Sequence, residues 1–227
     1  MKRFSILIIF FSIINIKAFG HVDHYKTYNY LEYELFRNDK LIGFHKYNFE
    51  RNNDLLTIKS HVEFNIIKLG VNLYKYKAIS KESYKNNEFF NFSSKTNQNK
   101  KEKYVNIKFD KKNGKLIIDG SSYKGDADKN FIVGTWWNHE IIQAKAQISA
   151  ISGRIIHQKV TFLGKEKLNI NGKIYDALHF NFSSSDKNLP NKKKLNTDIW
   201  YDEKTNLWLK ASFDKTGHWE YRMKEYN

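Results

Sequence analysis

The sequence contains no cysteine and a single proline, Pro190, among 227 residues. Without cysteine there is no disulfide, no thiol nucleophile and no thiolate metal ligand. The cysteine that carries the lipid of a bacterial lipoprotein is missing too. Glycine is also sparse, with 11 residues and no phosphate-cradling run, dinucleotide fingerprint or Gly-x-Ser-x-Gly elbow among them. Arginine occurs 5 times beside 34 lysines. Arginine reads phosphates and guanines bidentately, so its scarcity argues against specific nucleic-acid binding despite a formal charge of +15. The excess of lysine, asparagine and isoleucine is the skew that an AT-rich genome imposes, and it reads as a solvated basic surface. Seventeen Phe, 14 Tyr and 5 Trp remain to build a core that no disulfide supports.

Long apolar runs are absent except for one. Phe4–Ile16 is almost wholly apolar, preceded by Lys2 and Arg3 and closed by Lys17-Ala18-Phe19-Gly20. A bilayer span needs about 20 apolar residues. A cationic start, a short apolar stretch and small residues at the exit read instead as a cleaved export signal, residues 1–20. A mature chain starting at His21 would carry +12, no lipid anchor and no transmembrane segment. The expected location is the periplasm or the exterior, and residues 21–227 read as one domain.

Alternation with period two dominates that domain. Leu56, Ile58, Val62, Phe64 and Ile66 share one face of a strand, and Leu31, Tyr33 and Leu35 share another. Leu207, Leu209, Ala211 and Phe213 repeat the pattern, followed by Trp219, Tyr221 and Met223. Turn residues separate such segments, among them Asn52-Asn53-Asp54, Lys112-Asn113-Gly114 and Asn171-Gly172. One apolar and one polar face per strand predicts an antiparallel sheet covered on one side. One stretch breaks the period. Asn138 as a cap, Glu140 in the first turn, Ile141, Ala144, Ile148 and Ile151 at helical spacing and Gly153 as a stop predict a short helix within 138–151. Pro190 and Lys192-Lys193-Lys194 mark 186–194 as an exposed loop.

Few residues advertise chemistry. His139-Glu140-Ile141-Ile142-Gln143 is one residue from a zinc-protease motif, but an amide at the second ligand position is a poor zinc ligand. His21 and His24 form a weak alternative metal site, because an N-terminal histidine offers both its amine and its imidazole. Asp198 and Asp202 share a strand face at about 13 Å. That exceeds the roughly 5–9.5 Å of a glycosidase pair. Aromatic residues cluster more than charges do. Trp136 and Trp137 precede the predicted helix, and Trp200 and Tyr201 lie on a C-terminal strand. These four are the candidate lining of an apolar site.

The order of short motifs resembles an uncharacterised family of exported bacterial proteins, domain of unknown function 6134. The landmarks are Tyr30-x-x-Tyr33-x-Leu35, Asn38-Asp39-Lys40-Leu41-Ile42-Gly43 with His45, Glu82-Ser83-Tyr84, Thr135-Trp136-Trp137-Asn138, Leu163-Gly164-Lys165-Glu166 and Ile199-Trp200-Tyr201-Asp202. The family is distantly similar to lipoprotein-carrier half-barrels, in which a curved sheet wraps a helix and offers a cavity to acyl chains. The resemblance implies no catalytic residue. Where the family often has proline after the Trp-Asn pair, this chain has His139.

The expectation is therefore a mainly β fold, a single curved antiparallel sheet or open barrel around one short helix. The expected role is non-enzymatic binding of a lipid or other apolar or acylated ligand in the envelope, with no cofactor. The rival readings are a periplasmic enzyme or metal-binding protein with a site hidden from sequence, and an envelope scaffold.

Overall fold

The computed structural model describes residues 25–227. The segment 1–20 and the pair His21 and His24 lie outside the described residues. Fifteen strands form one sheet: β1 (Tyr30–Arg37), β2 (Lys40–Asn52), β3 (Leu55–Lys68), β4 (Val71–Lys85), β5 (Glu88–Gln98), β6 (Lys101–Asp110), β7 (Lys115–Gly120) and β8 (Lys124–Asp128). After them come β9 (Ile132–Val133), β10 (Ala146–Ile148), β11 (Ile155–Ile170), β12 (Lys173–Ser184), β13 (Asn196–Asp202), β14 (Trp208–Asp214) and β15 (His218–Tyr226). The order across the sheet is 8-7-6-5-4-3-2-1-15-14-13-12-11-10-9. All neighbours run antiparallel except β9 and β10.

This order sets the shape. The edge strands β8 and β9 stand at opposite ends of the sheet, yet only residues 129–131 join them. The sheet must curl through most of a circle to bring its two ends that close. It does so without pairing them, so the barrel stays open. Strand twist supplies the curl, and residues where two strands meet at close range permit it. A Cβ at Gly43 would stand 2.1 Å from the Glu63 carbonyl oxygen and 2.5 Å from the Phe64 Cβ. Only glycine fits there.

The alternation holds where it was read. Leu31, Tyr33, Leu35, Ile58, Leu207, Leu209 and Ala211 are buried, whereas Lys59 beside Ile58 is exposed and Lys210 between Leu209 and Ala211 is half-buried. The turns carry the asparagines at positive φ, including Asn38, Asn53, Asn86, Asn99 and Asn171, the conformation such hairpins require. At the start of β14 the register slips against Tyr201. Trp208 and Leu209 are consequently both fully buried, where strict alternation would bury one.

The helix expected within 138–151 is not formed. Asn138 does cap, accepting from the Glu140 backbone N–H at 3.0 Å. The turn that follows is a single 3-10 turn, His139–Ile142, and Ala146–Ile148 is strand β10. The buried Gln158 explains the difference. Its Nε2 donates to the carbonyls of Ile141 and Ala144, both at 3.0 Å, and so takes acceptors that a continuing helix would use. Ile148 lies between β9 and β11, and residues 146–148 are buried on both faces. Their apolar spacing therefore mimicked a helix.

Residues 129–153 thus form an irregular strap across the concave face. Its far end is stitched to β7: Ser122 N–H donates to the Ser152 carbonyl at 2.9 Å, and Gly120 and Gly153 meet backbone to backbone. Trp219, by contrast, is half-buried at the opposite end, edge-on to Phe64 at 5.3 Å and stacked on Phe213 at 5.9 Å. Trp219→Ala is expected to cost about 1–2 kcal/mol, within the ordinary range for one substitution. Urea melts measure it.

Candidate binding site

The strap is held to the sheet walls by side chains from both halves of the fold. Tyr47 on β2 donates its hydroxyl to the Thr135 carbonyl at 2.6 Å, and Tyr201 on β13 donates to the Trp136 carbonyl at 2.9 Å. Trp137 is fully buried and sits edge-on to Tyr25, Phe49 and Tyr84 at 5.2–5.8 Å. Its indole N–H donates to Glu82 Oε2 at 2.9 Å. The Tyr84 hydroxyl donates to Glu82 at 2.7 Å and the Thr135 hydroxyl at 3.3 Å. Burial raises the Glu82 pKa above the usual carboxylate range, and these three donors pull it back only in part.

Two hollows flank the strap. The first is a groove of about 510 Å³, open at the end of the sheet where β4 turns into β5 and β6 into β7. Its apolar wall comprises Phe89, Phe109, Leu116, Phe131, Ile132 and Val133. Lys129, Asn130, Glu140 and Gln143 form its polar side. The phenyl rings are half-buried, as groups exposed to a groove should be.

The second is a cavity of about 170 Å³ on the other side of the strap, between Trp136, Tyr221 and the inner faces of β2 to β5. His45 Nε2 lies 2.8 Å from Ser60 Oγ there. His45 Nδ1 and Trp136 Nε1 are buried with no hydrogen-bond partner within the protein. Trp136 also holds φ at +61°, a left-handed conformation that bulky side chains rarely adopt. Burial, aided by His61, pushes the His45 pKa down to about 3. A serine beside a histidine has the geometry of a nucleophile and its base. Here the imidazole is too weak a base for that task near neutral pH, and no carboxylate orients its far nitrogen.

The four aromatic candidates do not share one lining. Trp136 and Trp137 lie on the strap and pack against different rings, and Tyr201 reaches the strap through its hydroxyl, but Trp200 faces the convex surface. There it stacks on His179 at 4.1 Å beneath the Lys210 ammonium, and its indole N–H donates to Glu166. His139 is buried on the 3-10 turn, and no group of three or more His, Asp or Glu among the described residues could hold a metal. Asp198 lies beside His179 on the convex face, whereas Asp202 accepts from Thr205 at the β13–β14 turn. From sequence, His45 and Glu82 stood out only as family landmarks and the groove phenylalanines not at all. A signal was present for two of them: His45 and Glu82 are ionisable residues at inward positions, between Gly43 and Tyr47 on β2 and between Ser80 and Tyr84 on β4.

A family model, described as a domain of unknown function, DUF6134, matches residues 33–224. The chain belongs to that family. The match runs from β1 to β15 and so includes the strap and both hollows. No curated protein matches the chain. Its fold is similar to the crystal structure of a beta-barrel-like protein of the domain of unknown function DUF1849 from Brucella abortus, with a TM-score of 0.61 and 13% identity over 88% of this chain and 97% of that one. A DUF1329 family protein from Desulfovibrio piger aligns over 90% of this chain and 88% of its own at 9% identity, but with a TM-score of only 0.21. The first likeness extends the barrel-like architecture beyond the family.

Proposed function

We propose that this is an exported, non-enzymatic protein of the cell envelope that binds an apolar or acylated ligand in the groove beside the strap. The groove itself carries the reading. Its volume of about 510 Å³ falls in the range of roughly 300–1,000 Å³ typical of small-ligand sites. Three phenyl rings and three aliphatic side chains offer one apolar wall, and Lys129 at the polar side can meet a carboxylate or phosphate head. The segment 1–20 supports export to the periplasm or beyond. The weak basicity of His45 supports binding over acyl transfer.

Titration with a fluorescent fatty acid tests the reading. Saturable binding at micromolar protein is expected, and Phe131→Asp should weaken it at least about tenfold, because a carboxylate would face the apolar chain. Trp219→Ala, distant from the groove, should leave affinity unchanged. Absence of saturable binding, or equal affinity in Phe131→Asp, would overturn the proposal.

A further inference from the structure

The β3–β4 hairpin overshoots the sheet to which it belongs. β2 accompanies β3 only as far as the Gly43–Phe64 pair, and β5 joins β4 only from Tyr76. Residues 65–75 therefore project as a two-stranded ribbon, held at its base by Asn99 of the β5–β6 turn, which bonds to Leu73 and Lys75. It closes on Leu69 and Gly70, both at positive φ. Polar residues normally occupy such a turn. Here Leu69 is 94% exposed, Ile67 64%, Val71 60% and Leu73 52%.

The pairing disposes these side chains in three directions. Ile67 pairs with Asn72 and Lys68 with Val71, so Ile67 and Val71 fall on opposite faces of the ribbon with Leu69 at the apex. A protein surface would cover one face of such a ribbon. Only a medium that is apolar on every side satisfies all three. The overhang of four to five residues per strand reaches about 13–17 Å, more than the roughly 5–10 Å to which interfacial segments sink into a bilayer.

Cations stand behind the apolar apex. A shallow depression at the base of the ribbon is lined by Lys75, Lys77 and Lys100 together with Asn72, Asn97 and Asn99. Lys68, Lys75 and Lys100 carry no ion pair among the described residues, and Lys77 is 3.8 Å from Glu63. The acidic groups nearby are Glu63 and Glu102, and Glu102 is engaged with Asn97. We propose that the hairpin is a membrane-docking wedge: Ile67, Leu69 and Val71 enter the bilayer while the lysine-lined depression receives the phosphate of an anionic lipid. Lysine stems can bury their methylenes at such a boundary while the ammonium groups stay at headgroup level. The wedge does not depend on the groove being loaded, so the two proposals fail separately.

Co-sedimentation with phosphatidylcholine vesicles, with and without phosphatidylglycerol, tests the wedge. The protein should bind the anionic vesicles, and added salt should weaken that binding. Leu69→Asp should lower it at least about tenfold, since a carboxylate would enter the acyl region. Aspartate tolerates the left-handed φ at this turn, so the thermal melt should not change. The double variant Lys75→Glu, Lys100→Glu should lose the salt-sensitive component. Fatty-acid affinity in the groove should be the same in all three proteins. No binding to anionic vesicles would overturn the proposal, as would equal binding by Leu69→Asp. A dimer that Leu69→Asp abolishes, without vesicle binding, would overturn it in favour of a self-association surface.

Discussion

Replacing Trp137 by alanine is expected to destabilise the protein by about 3–5 kcal/mol, the cost of emptying a large aromatic site that cannot collapse. The site is enclosed by Tyr25, Phe49 and Tyr84. The same substitution removes a hydrogen bond from the buried Glu82 carboxylate. Trp137→Phe separates the two contributions. It keeps most of the ring volume and should lose about 1–3 kcal/mol, the usual penalty for a buried group left short of a partner. Denaturant melts should rank Trp137→Ala as the most costly, with Trp137→Phe and Trp219→Ala well below it. If Trp137→Ala cost no more than Trp219→Ala, the strap would not be a core element.

The second large effect concerns acid. His45 has a folded pKa of about 3 against an ordinary 6.5. A depressed pKa contributes stability that is present above 6.5 and lost as pH falls toward 3, because below 6.5 the unfolded chain takes a proton that the folded one refuses. The loss is about 1.4 kcal/mol per pH unit, or roughly 2–3 kcal/mol between pH 7 and pH 4.5. Glu82 acts in the opposite sense. Its raised pKa contributes stability that is present below 4.5 and fades as pH rises through the folded value. His45→Phe isolates the histidine, because Glu82 is common to both proteins and the neighbouring cavity leaves room for the larger ring. Between pH 7 and pH 4.5 the unmodified protein should lose about 2–3 kcal/mol more than His45→Phe. Parallel stability–pH curves would mean that His45 takes up its proton in the folded state.

Much of the sheet was legible because period-two alternation depends on each strand alone. Ile58 and Phe64, or Leu31 and Leu35, point inward whatever strand lies beside them. The strap was not legible. Its conformation depends on Gln158, which comes from β11 and takes the carbonyls of Ile141 and Ala144. No window around 138–151 contains that information. Trp200 and Tyr201 show a rule that was available: adjacent residues of a strand face opposite sides, so these two could not line the same concave surface. Trp136 and Trp137 escape the rule because the strap is not a strand there. The groove was hidden for a different reason. Phe89 and Phe109 come from the paired strands β5 and β6, but the strap residues Phe131, Ile132 and Val133 face them only in the curled sheet, and curvature is a property of all fifteen strands together.

The central claim is that the groove beside the strap binds an apolar chain, and backbone amide NMR during titration with a monomeric medium-chain fatty acid tests it most directly. Saturable shifts should centre on Phe89, Phe109, Phe131 and Val133, with little change at Leu69 or at the outward-facing Trp200. Saturable shifts confined to other surfaces, or none at all, would contradict it.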